Sequence, residues 1–316
     1  MKKYLVALAA ITLLLGGPAI TVLAQTSGPG NGFRVSPVRE ELTIQPGKTE
    51  TVDVSVENIT NENIIAHPIV NDFVASDQEN GEPRLILDNS APPSGNSFKT
   101  LVGQLPDTPL KPHERKTVKV TLNVPANAAA GGYYGAVRFS PASIADDKQV
   151  ALTASVGVLF LVKVPGNILE KLDMITLGAS LKDKASSFFT RSPDATVVRL
   201  KNSGAIHLQP FGRIEVKDWR GHVISNQEFN NVDPRGNVLP NSIRKFTTPL
   251  KANAKFGRYT VYANLGYSSS GQLISGQSTF WVIPWLFIIA LAIVITLIVL
   301  TVLYIRRKRA KKNRHR

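Results

Sequence analysis

Residue types able to do chemistry are sparse in this chain and stand in the wrong company for it. Its five histidines, His67, His113, His207, His222 and His315, show no HxH or HExxH spacing and adjoin no acidic cluster. They therefore read as ordinary turn and strand histidines rather than a zinc set. Asp146-Asp147, and Asp72 with Asp77, lack the ligand order of a calcium loop and read as solvated loop charges. Ser242-Ile-Arg-Lys245 has the SxxK spacing of penicillin-recognising enzymes, without SDN or KTG partners and without a helix to bring Ser and Lys to one face. Gly131-Gly132 has neither the GxGxxG nor the GxxxxGK spacing that cradles phosphate. Asn58-Ile-Thr60 is a glycosylation triplet of a kind that arises often by chance. With no cysteine, neither a disulfide framework nor thiolate chemistry is available. No catalytic residue, metal or cofactor is expected.

Aromatic rings beside arginines are what remain: Tyr134 with Arg138, and Trp219 with Arg220 and His222. Planar rings stack on sugars and fill interface hot spots at low entropic cost, and guanidinium adds forked donors. These are the candidate ligand contacts. The competing structural roles are a corner residue for Tyr134 and a cap on a second core for Trp219.

The elements that position them read as strands. Val52, Val54 and Val56 alternate with Asp53, Ser55 and Glu57, and Pro46-Gly47 supplies a turn before them. Similar β-branched runs occupy 64–70, 84–87, 116–124, 133–140 and 150–164, separated by Pro, Gly, Asn and Asp clusters. Period two places Tyr133, Gly135, Val137 and Phe139 on the core face, and Tyr134, Ala136 and Arg138 on the other. Pro165-Gly166 interrupts the pattern, which resumes at 195–201, 212–218, 222–225, 243–247, 259–265 and 279–282. The fold class expected is all-β, with immunoglobulin-like sandwiches over 33–166 and 167–282. The halves echo one another: Leu110, Pro112, Arg115-Lys116 and Gly132-Tyr133 against Leu239-Pro240, Arg244-Lys245, Gly257 and Tyr259.

Both ends carry membrane signals. Lys2 and Lys3 precede an apolar run from Tyr4 to Leu15 and a small residue at Ala24, the order of a signal peptide over 1–24; an uncleaved anchor is the alternative. Residues 25–32 read as a flexible leader. No charge occurs from Trp281 to Ile305, and residues 284–305 are long enough for one crossing of a bilayer core roughly 30 Å thick. Trp281, Trp285 and Tyr304 are expected at its interfaces, and the basic tail 306–316, opening with Arg306, Arg307 and Lys308, on the cytoplasmic side. Eight charges of the net +14 lie in that tail and two on Lys2 and Lys3, leaving only +4 for residues 25–305. The basicity thus fits anionic lipid headgroups, and nucleic acid is not an expected partner.

Phe33-Arg-Val-Ser-Pro37, the turn Gln45-Pro-Gly-Lys48, Val54-Ser-Val-Glu-Asn58 and above all Ala130-Gly-Gly-Tyr-Tyr-Gly-Ala-Val137 resemble the first domain of bacterial surface proteins of the WxL-interacting type. That resemblance implies two immunoglobulin-like domains, a C-terminal membrane helix, peptidoglycan binding by the first domain, and partner or host-ligand binding by the second. A non-catalytic, membrane-anchored binding protein of the cell surface is therefore expected, contacting peptidoglycan or other surface proteins. The alternatives are an envelope glycan-acting enzyme, which would need paired carboxylates in a cleft, and a single-pass receptor signalling through a membrane partner.

Overall fold

The computed structural model describes residues 32–88, 96–143, 155–268 and 270–313. The expected signal peptide, the leader before Gly32, Asp146-Asp147 and the tail beyond Asn313 lie outside them. The first half contains β1 (Phe33–Ser36), β2 (Arg39–Thr43), β3 (Thr49–Asn58), β4 (Ile64–Ala75), β5 (Pro83–Leu85), β6 (Thr108–Leu110), β7 (Arg115–Asn123), β8 (Gly131–Ser143) and β9 (Val156–Val164). One sheet runs β1-β3-β7; the other runs β2-β9-β8-β4-β5, with β6 also on β4. The alternation of apolar and polar residues dictates their packing. Val54, Val56, Val118, Val120 and Leu122 of one sheet meet Val137, Phe139, Val158, Phe160 and Val162 of the other in a closed core. Each such side chain contributes about 1.5–3 kcal/mol by leaving water. Truncating fully buried Leu122 to Ala would cost about 2–5 kcal/mol.

The Gly-Gly-Tyr-Tyr-Gly run has a steric explanation. A Cβ on Gly135 would lie 2.0 Å from Cδ1 of Phe98, whose ring fills the slot and stacks on Phe160 with centroids 5.3 Å apart. A Cβ on Gly132 would lie 2.0 Å from the Tyr134 hydroxyl, so the bare backbone lets that ring lie along the strand. Tyr133 is the corner residue: its buried ring places a hydroxyl that donates to the carbonyl of Ala129 at 3.0 Å.

The second half contains β10 (Leu172–Leu181), β11 (Lys184–Ser186), β12 (Phe188–Phe189), β13 (Ala195–Asn202), β14 (Phe211–Asp218), β15 (Val223–Phe229), β16 (Ser242–Pro249), β17 (Gly257–Gly266) and β18 (Leu273–Val282). Its sheets run β11-β10-β13-β16 and β12-β18-β17-β14-β15 over a separate core that includes Leu200, Ile214, Val261 and Phe280. The wiring repeats that of the first half. In each, a short early strand pairs parallel with the last strand, β2 on β9 and β12 on β18. Tyr259 bonds the backbone of Lys255, four residues back, as Tyr133 does Ala129. Buried Asn58 and Asn202 each donate to the carbonyl four residues on and accept the N–H two residues on, fixing equivalent turns. The chain is therefore all-β in two immunoglobulin-like sandwiches, followed by one helix.

That helix, α1 (Trp285–Asn313), is the only one among the described residues long and apolar enough to cross a membrane. Its apolar side chains from Trp285 to Ile305 are exposed. Strand β10 is the longest element the residue pattern did not announce. Its pairing with β13 shifts register between Met174 and Thr176, and this bulge breaks the alternation that marks a strand. Leu239-Pro240, part of the echo between the halves, lies in the loop before β16.

Candidate functional site

The two sandwiches meet along a seam that Tyr134 organises. Its hydroxyl accepts the backbone N–H of His207 at 2.6 Å and lies 3.2 Å from Nδ1 of the same residue, to which it donates when that nitrogen is unprotonated. The rings meet edge to face at 5.6 Å. Burial pushes the Tyr134 hydroxyl well above its ordinary value and holds the His207 imidazole below its own, so both are neutral at neutral pH. Glu41 of β2 reaches across to Gln209 at 2.9 and 3.0 Å and to Asn237 at 2.9 Å, while Arg39 donates to the carbonyl of Arg235 at 3.1 Å. On the other side of the seam Arg199 grips both oxygens of Glu79, and Lys245 donates its N–H to the Glu79 carbonyl at 2.7 Å. This last bond occupies the outer edge of β16, which would otherwise present unpaired backbone. Arg199 draws the Glu79 carboxyl below its usual range. Between these polar contacts Leu239 enters a small apolar cluster with Phe73 and Leu161.

Beside the seam opens a cleft of about 710 Å³. Its walls are Asp72–Asp77 and Arg84 on one side and Leu239–Ile243 on the other, with Tyr134, Gly132 and Asn96 at its base. Asp72 is engaged: its carboxylate accepts from the Ser97 hydroxyl at 2.6 Å and from the Lys99 N–H at 3.1 Å. Asp77 and Arg84 are mostly exposed and 3.9 Å apart. Among the described residues no group of three His, Cys, Asp or Glu side chains converges as a metal site.

The candidate ligand contacts are separated. Tyr134 lies between the domains and lines the cleft, while Arg138 is held by Asn71 at 2.6 and 3.0 Å and by Ser155 at 2.6 Å. Trp219 and Arg220 sit together on the turn between β14 and β15, the guanidinium 4.6 Å from the ring centroid. Asp218 holds that turn by accepting the N–H groups of Arg220 and His222, each at 2.9 Å. Trp281 is the penultimate residue of β18; Trp285 begins α1, along which Tyr304, Arg306, Arg307 and Lys308 are exposed. His207, Glu41, Glu79 and Arg199 were not singled out from sequence. The available signal was His207 between two core residues, Ile206 and Leu208.

No curated protein matches the chain. Solved structures similar to it include the class 5 fimbriae chaperone CfaA, 13% identical over 78% of this chain and 98% of that one, with a TM-score of 0.39. The YadV chaperone is 11% identical over 79% and 100%, at 0.34, and the E. coli chaperone DraB 10% identical over 79% and 96%, also at 0.34. Residues 41–141 match the family described as WxL Interacting Protein, peptidoglycan binding domain, the same family that the Gly-Gly-Tyr-Tyr run within that stretch resembles.

Proposed function

We propose that this protein is a non-catalytic binding protein of the bacterial cell envelope, anchored by α1 with its sandwiches outside and its basic tail against anionic headgroups inside. The observation that carries this reading is the peptidoglycan-binding family match over 41–141 in a chain that also has one apolar helix. The cleft supports binding rather than catalysis. Asp72 and Glu79 are each occupied by protein donors, Asp77 stands 3.9 Å from Arg84, and the Tyr134 hydroxyl is held by His207. What the cleft offers is an aromatic base with Asn96, Arg84 and Asn241 around it, donors suited to the hydroxyls, amides and carboxylates of peptidoglycan. Arg84 and Asn241 are the accessible contacts, and Tyr134 supplies the base.

The test is co-sedimentation of the full chain, in mild detergent, with insoluble peptidoglycan. Because Asn241 has φ of 55°, glycine is the substitution that removes its amide without backbone strain. Arg84→Ala with Asn241→Gly should reduce the bound fraction several-fold while leaving circular dichroism unchanged. Raising the salt should weaken binding moderately rather than abolish it, since screening acts on a small net charge. Sedimentation no greater than that of an unrelated sandwich of equal charge would end the envelope-binding reading. Undiminished binding by the double variant would move the contact off the cleft.

A further inference from the structure

All three tryptophans of the chain, Trp219, Trp281 and Trp285, stand at one end of the second sandwich. Trp219 lies against Gly257, where a Cβ would come 3.3 Å from its ring, and Gly257 is the register partner of Val282, next to Trp281. Phe256 stacks on Phe287 in the first turn of α1, with centroids 4.6 Å apart. Phe188 is the register partner of Trp281 on the neighbouring edge strand. These rings are open to solvent: Trp219 and Phe188 are 65% exposed, Phe256 51% and Trp281 40%. Exposed apolar residues scattered singly need no explanation, whereas large aromatic side chains gathered at one end of a domain mark a surface that is normally covered.

Charge and chain connectivity say what covers it. Arg220 lies over the Trp219 ring, exposed Arg258 pairs in register with Trp281, and exposed Arg191 and Lys255 line a hollow with Trp285 at the root of the helix. The carboxylates at this end are committed to turns: Asp218 accepts the N–H groups of Arg220 and His222, and Asp194 that of Lys182. Only Ile283 and Pro284 separate β18 from α1, and both are tied down: the Ile283 N–H donates to the Phe189 carbonyl and the Phe287 N–H to that of Pro284. The sandwich thus has no slack with which to stand away from whatever the helix enters.

We propose that this end of the second sandwich docks on the outer leaflet of the membrane. Trp219, Phe256, Phe188 and Trp281 sit at headgroup level, and Arg191, Arg220, Lys255 and Arg258 face anionic headgroups. The inference rests on the reading of α1 as a membrane span. It makes the Trp219 turn a lipid contact rather than a site for a soluble partner, and turns the inter-domain cleft into a feature held at fixed height above the bilayer.

The test uses the full chain in vesicles of phosphatidylcholine and phosphatidylglycerol, with or without lipids brominated high on the acyl chain. Trp281→Phe with Trp285→Phe leaves Trp219 as the sole tryptophan, excited selectively over tyrosine; Trp219→Phe with Trp281→Phe leaves Trp285, which reports on the span itself. Both reporters should be quenched by the brominated lipid. Adding Arg220→Glu and Lys255→Glu should reduce Trp219 quenching several-fold and spare that of Trp285. Quenching of Trp285 without Trp219 would overturn the docking and leave the span standing; quenching of neither would remove both. Trp219 shielded from aqueous acrylamide but untouched by brominated lipid would assign the face to a second copy or a membrane partner, and would equally overturn the proposal.

Discussion

Tyr134→Phe isolates one of the bonds that join the two sandwiches. The substitution keeps the ring, and with it the edge-to-face contact with His207 at 5.6 Å and the contact with Phe73 at 5.9 Å. It removes the oxygen that accepts the His207 backbone N–H at 2.6 Å and pairs with Nδ1 at 3.2 Å. Leaving a desolvated N–H without a partner costs about 1–3 kcal/mol. The seam should lose stability by that amount, and the equilibrium between docked and separated domains should shift roughly 5- to 150-fold. Urea unfolding of the full chain in detergent would measure the loss, and amide hydrogen exchange would place it: protection of His207 and of Gly132, whose N–H crosses the seam to the Ala205 carbonyl, should fall while that of Val54 and Val120 in the first core holds. Both are needed, because a global loss alone would not locate the effect. A change below about 0.3 kcal/mol, with exchange at His207 unaltered, would refute the reasoning, since it would mean that water replaces the hydroxyl at no cost.

Gly135→Ala should destabilise the first sandwich by about 1–3 kcal/mol in a denaturant titration, because its Cβ would meet the immobile Phe98 ring at 2.0 Å on both residues' buried face. Acid should loosen the seam in two steps. Burial lowers the His207 pKa, with Arg39 and Lys163 acting in the same direction and Glu41 opposing. The contribution of neutral His207 is therefore complete above its unfolded value of about 6.5 and is lost as pH falls through the lower folded value. The Glu79 carboxyl, held down by Arg199, keeps its pair intact until pH drops below about 4.3. Stability measured between those limits should thus decline with acid in the parent protein and stay flat in His207→Gln.

The sequence made the sandwich interiors legible because period-two alternation is a local signal. Val52, Val54 and Val56 stand on the buried face, and Tyr133, Val137 and Phe139 on that of β8, as the alternation required. That a tyrosine forms the corner was also legible, although the residue is Tyr133 and not Tyr134, as was the echo between halves, visible in Gly132-Tyr133 and Gly257 with Tyr259. The seam was not. Glu79 and Arg199 are 120 residues apart and Glu41 and Gln209 are 168 apart, and nothing local in any of the four distinguishes a cross-domain partner from a solvated charge. Tyr134 was selected as an aromatic on the outward face. What that face meets is decided by how two separately patterned domains dock, and period two carries no information on that point.

The parallel pairing of β2 with β9 also constrains the order in which the chain can fold. Arg39 lies beside Leu159 and Thr43 beside Lys163, contacts between the beginning and the end of the same half. As the polypeptide is synthesised, β2 has no edge to join until β9 has appeared, and its loop must be closed against chain entropy before any reward is collected. β12 meets a similar wait for β18. Contacts so distant in sequence favour folding on the millisecond-to-second scale typical of sandwiches. The apolar faces of β3, β4, β7 and β8 are consequently made before the strand that completes the second sheet arrives, and the newly made chain passes through an interval in which each unfinished sandwich has an open edge.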